Sequence, residues 1–212
     1  MNYWLAELVL AVSALLVSGH FWSTGRDRHQ SPALLMVAGL CCLALAALAG
    51  AYRYGVDPWA TDLHRALSHL SGYISFPAIG IALLWVSLGL PAGDQSRAPA
   101  YVILVLVTGA ALGMSGHGGV TPAEVSSFFS ALGLLLWLAA AVRQLLVPGR
   151  LSRVQAVLLS LGAPLVIIAG LLVGTDSAPL WGLARINWFH LLLAAALWLL
   201  LCGRPLFAHR AR

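Results

Sequence analysis

The 212-residue sequence contains no lysine, and charged residues of either sign make up only 9% of it. Without lysine there is no retinal Schiff base, hence no opsin-type photoreceptor, and no lysine-based covalent catalysis. So little charge against 60% hydrophobic residues excludes an ordinary soluble domain. Cysteine is scarce too. Cys41, Cys42 and Cys202 are the three present, two of them adjacent and all in apolar segments, so neither a disulfide framework nor a CxxC site is indicated. No basic cluster is interleaved with stacking aromatics, which argues against nucleic acid as a partner in spite of the formal net charge of +5. A basic n-region and an A-x-A cleavage site are missing from the N-terminus, which carries Glu7. The first apolar segment therefore reads as a retained helix rather than a signal peptide.

What is present is long apolar runs. Seven reach the roughly 20 residues a spanning helix needs, near 3–22, 32–52, 63–90, 100–116, 122–146, 153–174 and 181–202. The connections between them are short turns of the kind that join antiparallel neighbours. The expected fold is an all-α, single-domain bundle of seven transmembrane helices. Pro77 and Pro164 predict bends inside the third and sixth helices, with Ser75 or water meeting the carbonyl that Pro77 frees. Thr121-Pro122-Ala123-Glu124 is a capping box with proline at the first helical position. Thr61 or Asp62 is placed to cap the third helix, and Asp176 or Ser177 the seventh. Gly109 and Gly113 form a small-residue packing face in the fourth.

The arginines set an orientation. Arg26, Arg28, Arg97, Arg143, Arg150, Arg153, Arg204, Arg210 and Arg212 fall on one side of this topology, and Arg53, Arg65 and Arg185 on the other. The positive-inside bias places the C-terminus in the cytoplasm and the N-terminus outside, in a multi-pass protein of the cell inner membrane. Trp4, Trp59, Trp181 and Trp188 then belong to the outer interfacial belt and Trp22 to the inner one. Glu7, Asp57, Asp62, His64, His69, His117, Glu124, Asp176, Arg185, Asn187 and His190 gather at or just inside the outer face, while Asp27, His29, Asp94 and His209 fall in inner loops or the tail.

The third helix carries polar chemistry into the membrane. His64, Ser68, Ser71 and Ser75 recur at i, i+4, i+7 and i+11, one helical face, with His69 and Tyr73 in a shorter row beside it. Lipid cannot satisfy such groups, so they are expected to face the bundle interior or a wet cavity. Three readings follow. In the first, His64, His69, His117 and His190 are the ligand pool for zinc, with Asp62, Ser71 and Asp176 as catalytic groups. An open metal position would bring the pKa of a bound water to about 7 and hydrolyse a lipid or other amphiphile. In the second, His69 with either His117 or His190 clamps a haem b iron for electron transfer. In the third, the chain is a non-enzymatic sensor, small transporter or assembly subunit, with a membrane-protein partner or further copies of itself. The histidines then cap carbonyls or snorkel, and Asp62 and Arg65 are a plain ion pair.

Helix count, an outside N-terminus and the set Asp62, His69, Ser71 and His190 resemble the CREST superfamily of seven-helix membrane hydrolases, which includes alkaline ceramidases and adiponectin-receptor-like proteins. The resemblance implies a metal-dependent hydrolase acting on a lipid or other amphiphile. The chain departs from the family in its last helix, where Asn187 and His190 are followed by Ala194 rather than by the second histidine of HxxxH.

Overall fold

The structure is a computed structural model that describes residues 2–25, 30–90, 96–147 and 149–208. Arg26, Asp27, Arg28, His29, Asp94, His209, Arg210 and Arg212 lie outside the described residues. The described chain forms seven α-helices: α1 (Tyr3–Gly25), α2 (Ser31–Gly55), α3 (Thr61–Leu88), α4 (Ala98–Met114), α5 (Pro122–Leu146), α6 (Arg153–Ile168) and α7 (Arg185–Leu200). A π-helical turn, Ala169–Val173, continues α6, and a 3-10 turn, Leu201–Leu206, continues α7. With these extensions, six of the helices are long and apolar enough to cross a membrane. The exception is α4, apolar but 17 residues long, about 26 Å at 1.5 Å per residue against a hydrocarbon core of about 30 Å.

Local chemistry explains most of the boundaries. Thr121 and Glu124 close the expected capping box at the start of α5, and Ser152 and Gln155 close a second one at the start of α6. Gly89, at φ +70°, ends α3 in the left-handed conformation that glycine adopts without penalty. Two expected caps are corrected. The residue preceding α3 is Ala60, without a side-chain cap, because Asp57 caps a 3-10 turn at Pro58–Ala60 that leads straight into the helix. Asp176 accepts from the amide of Ala178 in a turn, and α7 does not start until Arg185. The residues between form a hairpin, β1 (Pro179–Leu180) with β2 (Leu183–Ala184), whose tip has Trp181 and Gly182 both at positive φ. Residues 181–184, expected in the last helix, belong to this hairpin. Helix α3 runs through Pro77 without a break, and Ser75 pairs with Ser71 Oγ at 2.9 Å.

Packing centres on α3, which lies between α2 and α5. Helix α1 lies against α2 and α7, and α6 bridges α5 and α7. Leu35, Met36, Leu40, Ile79, Leu83, Trp137, Leu159 and Leu197 fill the core. Small residues set the α3–α5 spacing: a Cβ added to Gly133 would fall on the backbone of Phe76 and Pro77, and one on Gly80 would meet Gly133. The expected face on α4 is not used within the chain, since a Cβ on Gly109 or Gly113 meets nothing within 4 Å. Only Ala100 and Ala111 of α4 are buried. At one end of the bundle the arginines tie helix ends together. Arg97 lies over Trp22, Arg204 bonds Thr24, Arg143 bonds the Ser87 carbonyl and Arg150 the Leu206 carbonyl. Arg53, Arg65 and Arg185 sit at the opposite end, on α2, α3 and α7, with Asp62 and Asp176.

Candidate functional site

Glu7 is the most unusual side chain in the bundle. It lies in the second turn of α1, and only 2% of it is exposed. A helix of this composition buries a carboxylate only where other groups compensate the lost water. Space for it comes from α2: a Cβ on Gly50 would land on the Glu7 carboxylate. Two imidazoles bracket it from other helices. His190 Nε2 of α7 is 3.4 Å from Oε2, and His64 Nε2 of α3 is 4.0 Å from Oε1. Arg53 of α2 stacks over Tyr54, and Tyr54 in turn meets the His64 ring edge-on.

Hydrogen-bond roles follow from the partners. His64 Nδ1 lies 3.3 Å from the Ala46 carbonyl. A carbonyl only accepts, so this nitrogen carries the proton. In a neutral ring the Nε2 lone pair then faces Glu7 Oε1, which has no hydrogen-bond partner. Two acceptors 4.0 Å apart repel unless a proton or a donor group lies between them.

The cluster opens on a cavity of about 190 Å³. Its polar lining continues with Ser68 and Ser71 of α3 and Ser126 and Ser130 of α5; Leu10, Leu43, Phe76, Phe189 and Leu193 supply apolar walls. Ser68 donates to the His64 carbonyl at 2.8 Å and Ser130 to the Gly72 carbonyl at 3.2 Å. Their oxygens keep lone pairs available to the cavity. Gly72 lets α5 approach: a Cβ there would fall on Ser126 Oγ. Among the described residues, no arginine lines the cavity.

The structure divides the sequence-predicted residues. His64, His190 and Ser71 line this cavity. His69, half-buried on α3, is not part of its lining, and His117 is exposed in the 3-10 turn His117–Gly119. Asp62 is exposed and paired with Arg65 at 3.2 Å, and Asp176 is exposed and paired with Arg185 at 3.7 Å. Among the described residues, no three His, Cys, Asp or Glu side chains stand together in a group able to hold a metal ion. Of the four-histidine zinc pool, His64 and His190 line this cavity and His69 and His117 do not, and in neither haem pair, His69–His117 or His69–His190, do both rings line it. The chemistry below therefore uses the groups that do line the cavity. Sequence reasoning missed Ser126, Ser130 and Gly50, and reached Gly72 only as a wall of the haem reading. The two serines are four apart on one helical face, a legible signal; nothing in the sequence singles out Gly50 among the 21 glycines present. No family model, curated protein or solved structure matches the chain.

Proposed function

We propose that this chain is a proton-linked carrier of the cell inner membrane, in which Glu7, His64 and His190 bind and release the proton. One observation carries this reading: two acceptors, Glu7 Oε1 and His64 Nε2, face each other at 4.0 Å inside a helix bundle of membrane-spanning length. A shared proton satisfies both, and His190 Nε2, 3.4 Å from the other carboxylate oxygen, gives that proton a second place to go. Acid and imidazole groups strung across several membrane helices are the usual means of passing protons through lipid. The adjoining cavity supplies room for a solute whose entry or exit is tied to the proton. The arginine distribution supports an outside N-terminus and a cytoplasmic C-terminus, which puts the carboxylate near the outer face. Of the described arginines, Arg97, Arg143, Arg150, Arg153 and Arg204 belong to the inner set, and Arg53, Arg65 and Arg185 to the outer set.

The test is proton movement in sealed vesicles. Purified protein is reconstituted into vesicles holding a pH-sensitive dye, with small amines, sugars and carboxylates supplied in turn as counter-solutes. Wild type moves protons with at least one class, and Glu7→Gln moves them at least tenfold more slowly. Equal rates in the two proteins, or no movement with any class, overturns the reading. Tightly held zinc with turnover of an amphiphile in its place would point back to the hydrolase.

A further inference from the structure

We propose that the cavity beside Glu7 is the binding site for a small primary alkylammonium ion, which exchanges with the proton on that carboxylate. This rests on the proton-linked reading of the same site and names the solute class. Hydrogen-bond acceptors predominate on the cavity's polar wall, beside Ser71, Ser126 and His190, which are able to donate as well. Glu7 Oε1 is buried without a partner, and His64 Nε2 turns its lone pair to the same space because Nδ1 is engaged by the Ala46 carbonyl. The serines extend the pattern. Ser68 and Ser130 direct their hydroxyl protons to backbone carbonyls, so each offers its oxygen. A wall of acceptors is complemented by a ligand rich in N–H donors, and a carboxylate in a site of low dielectric favours one that is positively charged.

Size and apolarity narrow the class. About 190 Å³ corresponds to roughly six water volumes at about 30 Å³ each, enough for a few non-hydrogen atoms. Leu10, Phe76 and Leu193 give part of the lining to hydrocarbon, which a bare inorganic cation would not use and a short alkyl chain would. A quaternary ammonium has no N–H to offer the serines. A primary ammonium has three donors, matched by the carboxylate, the imidazole and a serine oxygen. Among the described residues, no arginine lines the cavity to repel it.

Competition for one carboxylate couples the two ions. The groups facing Glu7 are Arg53 and Tyr54 from α2, His64 from α3 and His190 from α7. When the carboxylate holds a proton, the ammonium loses its counter-charge; when the ammonium is bound, the proton is excluded. The carrier is therefore an exchanger, moving one alkylammonium against a proton.

The experiment is binding of ethylammonium to the purified full-length protein in detergent by titration calorimetry, over a series of pH values. Saturable one-site binding is expected, weakening by about tenfold per pH unit wherever the site is mostly protonated, as displacement of one proton requires. Glu7→Gln abolishes it, and tetramethylammonium does not compete. Glu7→Asp retains the charge but retracts it, and Ser130→Ala removes one acceptor; each weakens binding by about fivefold or more, with thermal unfolding confirming that both are folded. These two variants carry the test if Glu7→Gln does not fold. Absence of ethylammonium binding, or binding unaltered in the folded variants, overturns the proposal, as does a zinc isotherm at the same carboxylate with no ammonium isotherm. If Glu7-dependent proton movement persists in vesicles with a different counter-solute, only the solute class falls. If proton movement itself proves independent of Glu7, the underlying reading falls with it.

Discussion

Gly50→Ala separates the fold from the site. A Cβ at this position would lie 2.9 Å from Glu7 Oε2 and closer still to Oε1. Ordinary contact distance then requires the carboxylate to retreat by about 1 Å. The obstructed atoms are the end of a flexible side chain, so α1 and α2 keep their spacing while the carboxylate moves. Two effects on stability oppose one another. Alanine is favoured over glycine inside a helix by about 1 kcal/mol, while overpacking a tight site costs about 1–3 kcal/mol. The net change is therefore within about 2 kcal/mol, and the variant folds. Function responds far more. The contacts to His190 and His64, now 3.4 Å and 4.0 Å, are both disturbed, and a misplacement of about 1 Å in an oriented site is able to cost up to about 100-fold. Proton movement in reconstituted vesicles should fall at least tenfold, with the unfolding temperature of the detergent-solubilised protein shifted by only a few degrees. Wild-type transport in folded Gly50→Ala would refute the claim that the carboxylate's position matters.

The same logic predicts opposite outcomes at two other glycines. Gly133→Ala drives a Cβ into the Phe76–Pro77 backbone and should abolish folding or cost several kcal/mol, whereas Gly109→Ala, which meets nothing, leaves the unfolding temperature unchanged or slightly raised. Trp137→Phe removes the Nε1 donor to the Leu159 carbonyl, 3.0 Å away in the core; the lost hydrogen bond should cost about 1 kcal/mol in thermal unfolding without touching the proton site. Asp62→Asn breaks only an exposed pair with Arg65, so transport and stability should both match wild type; a large loss of transport would return Asp62 to the catalytic set.

Much of this architecture is legible because hydrophobicity alone dictates it. Long apolar runs fix helix number and rough limits, and Thr121 and Glu124 announce the start of α5 through local hydrogen bonding. The hairpin at Pro179–Ala184 is not legible by the same means, because Leu180, Trp181 and Leu183 are as apolar as the helix that follows them. The site is partly legible. The row His64, Ser68, Ser71 on α3 faces the cavity as helical spacing requires, and His190 joins it. Histidine content misleads elsewhere: His117 has the same chemistry as His190 but sits on an exposed turn, a difference only tertiary packing decides. Glu7 reads equally well as a snorkelling end residue, since its burial depends on the small volume of Gly50, 43 positions away.

The most direct measurement is an infrared difference spectrum of the purified protein across a pH titration, recorded for wild type and Glu7→Gln. A proton shared between this carboxylate and the imidazoles of His64 and His190 predicts a carboxyl band that titrates together with imidazole bands and is lost in the variant. A difference spectrum identical in the two proteins would mean that Glu7 takes no part in proton binding, and would contradict the proton-linked site outright.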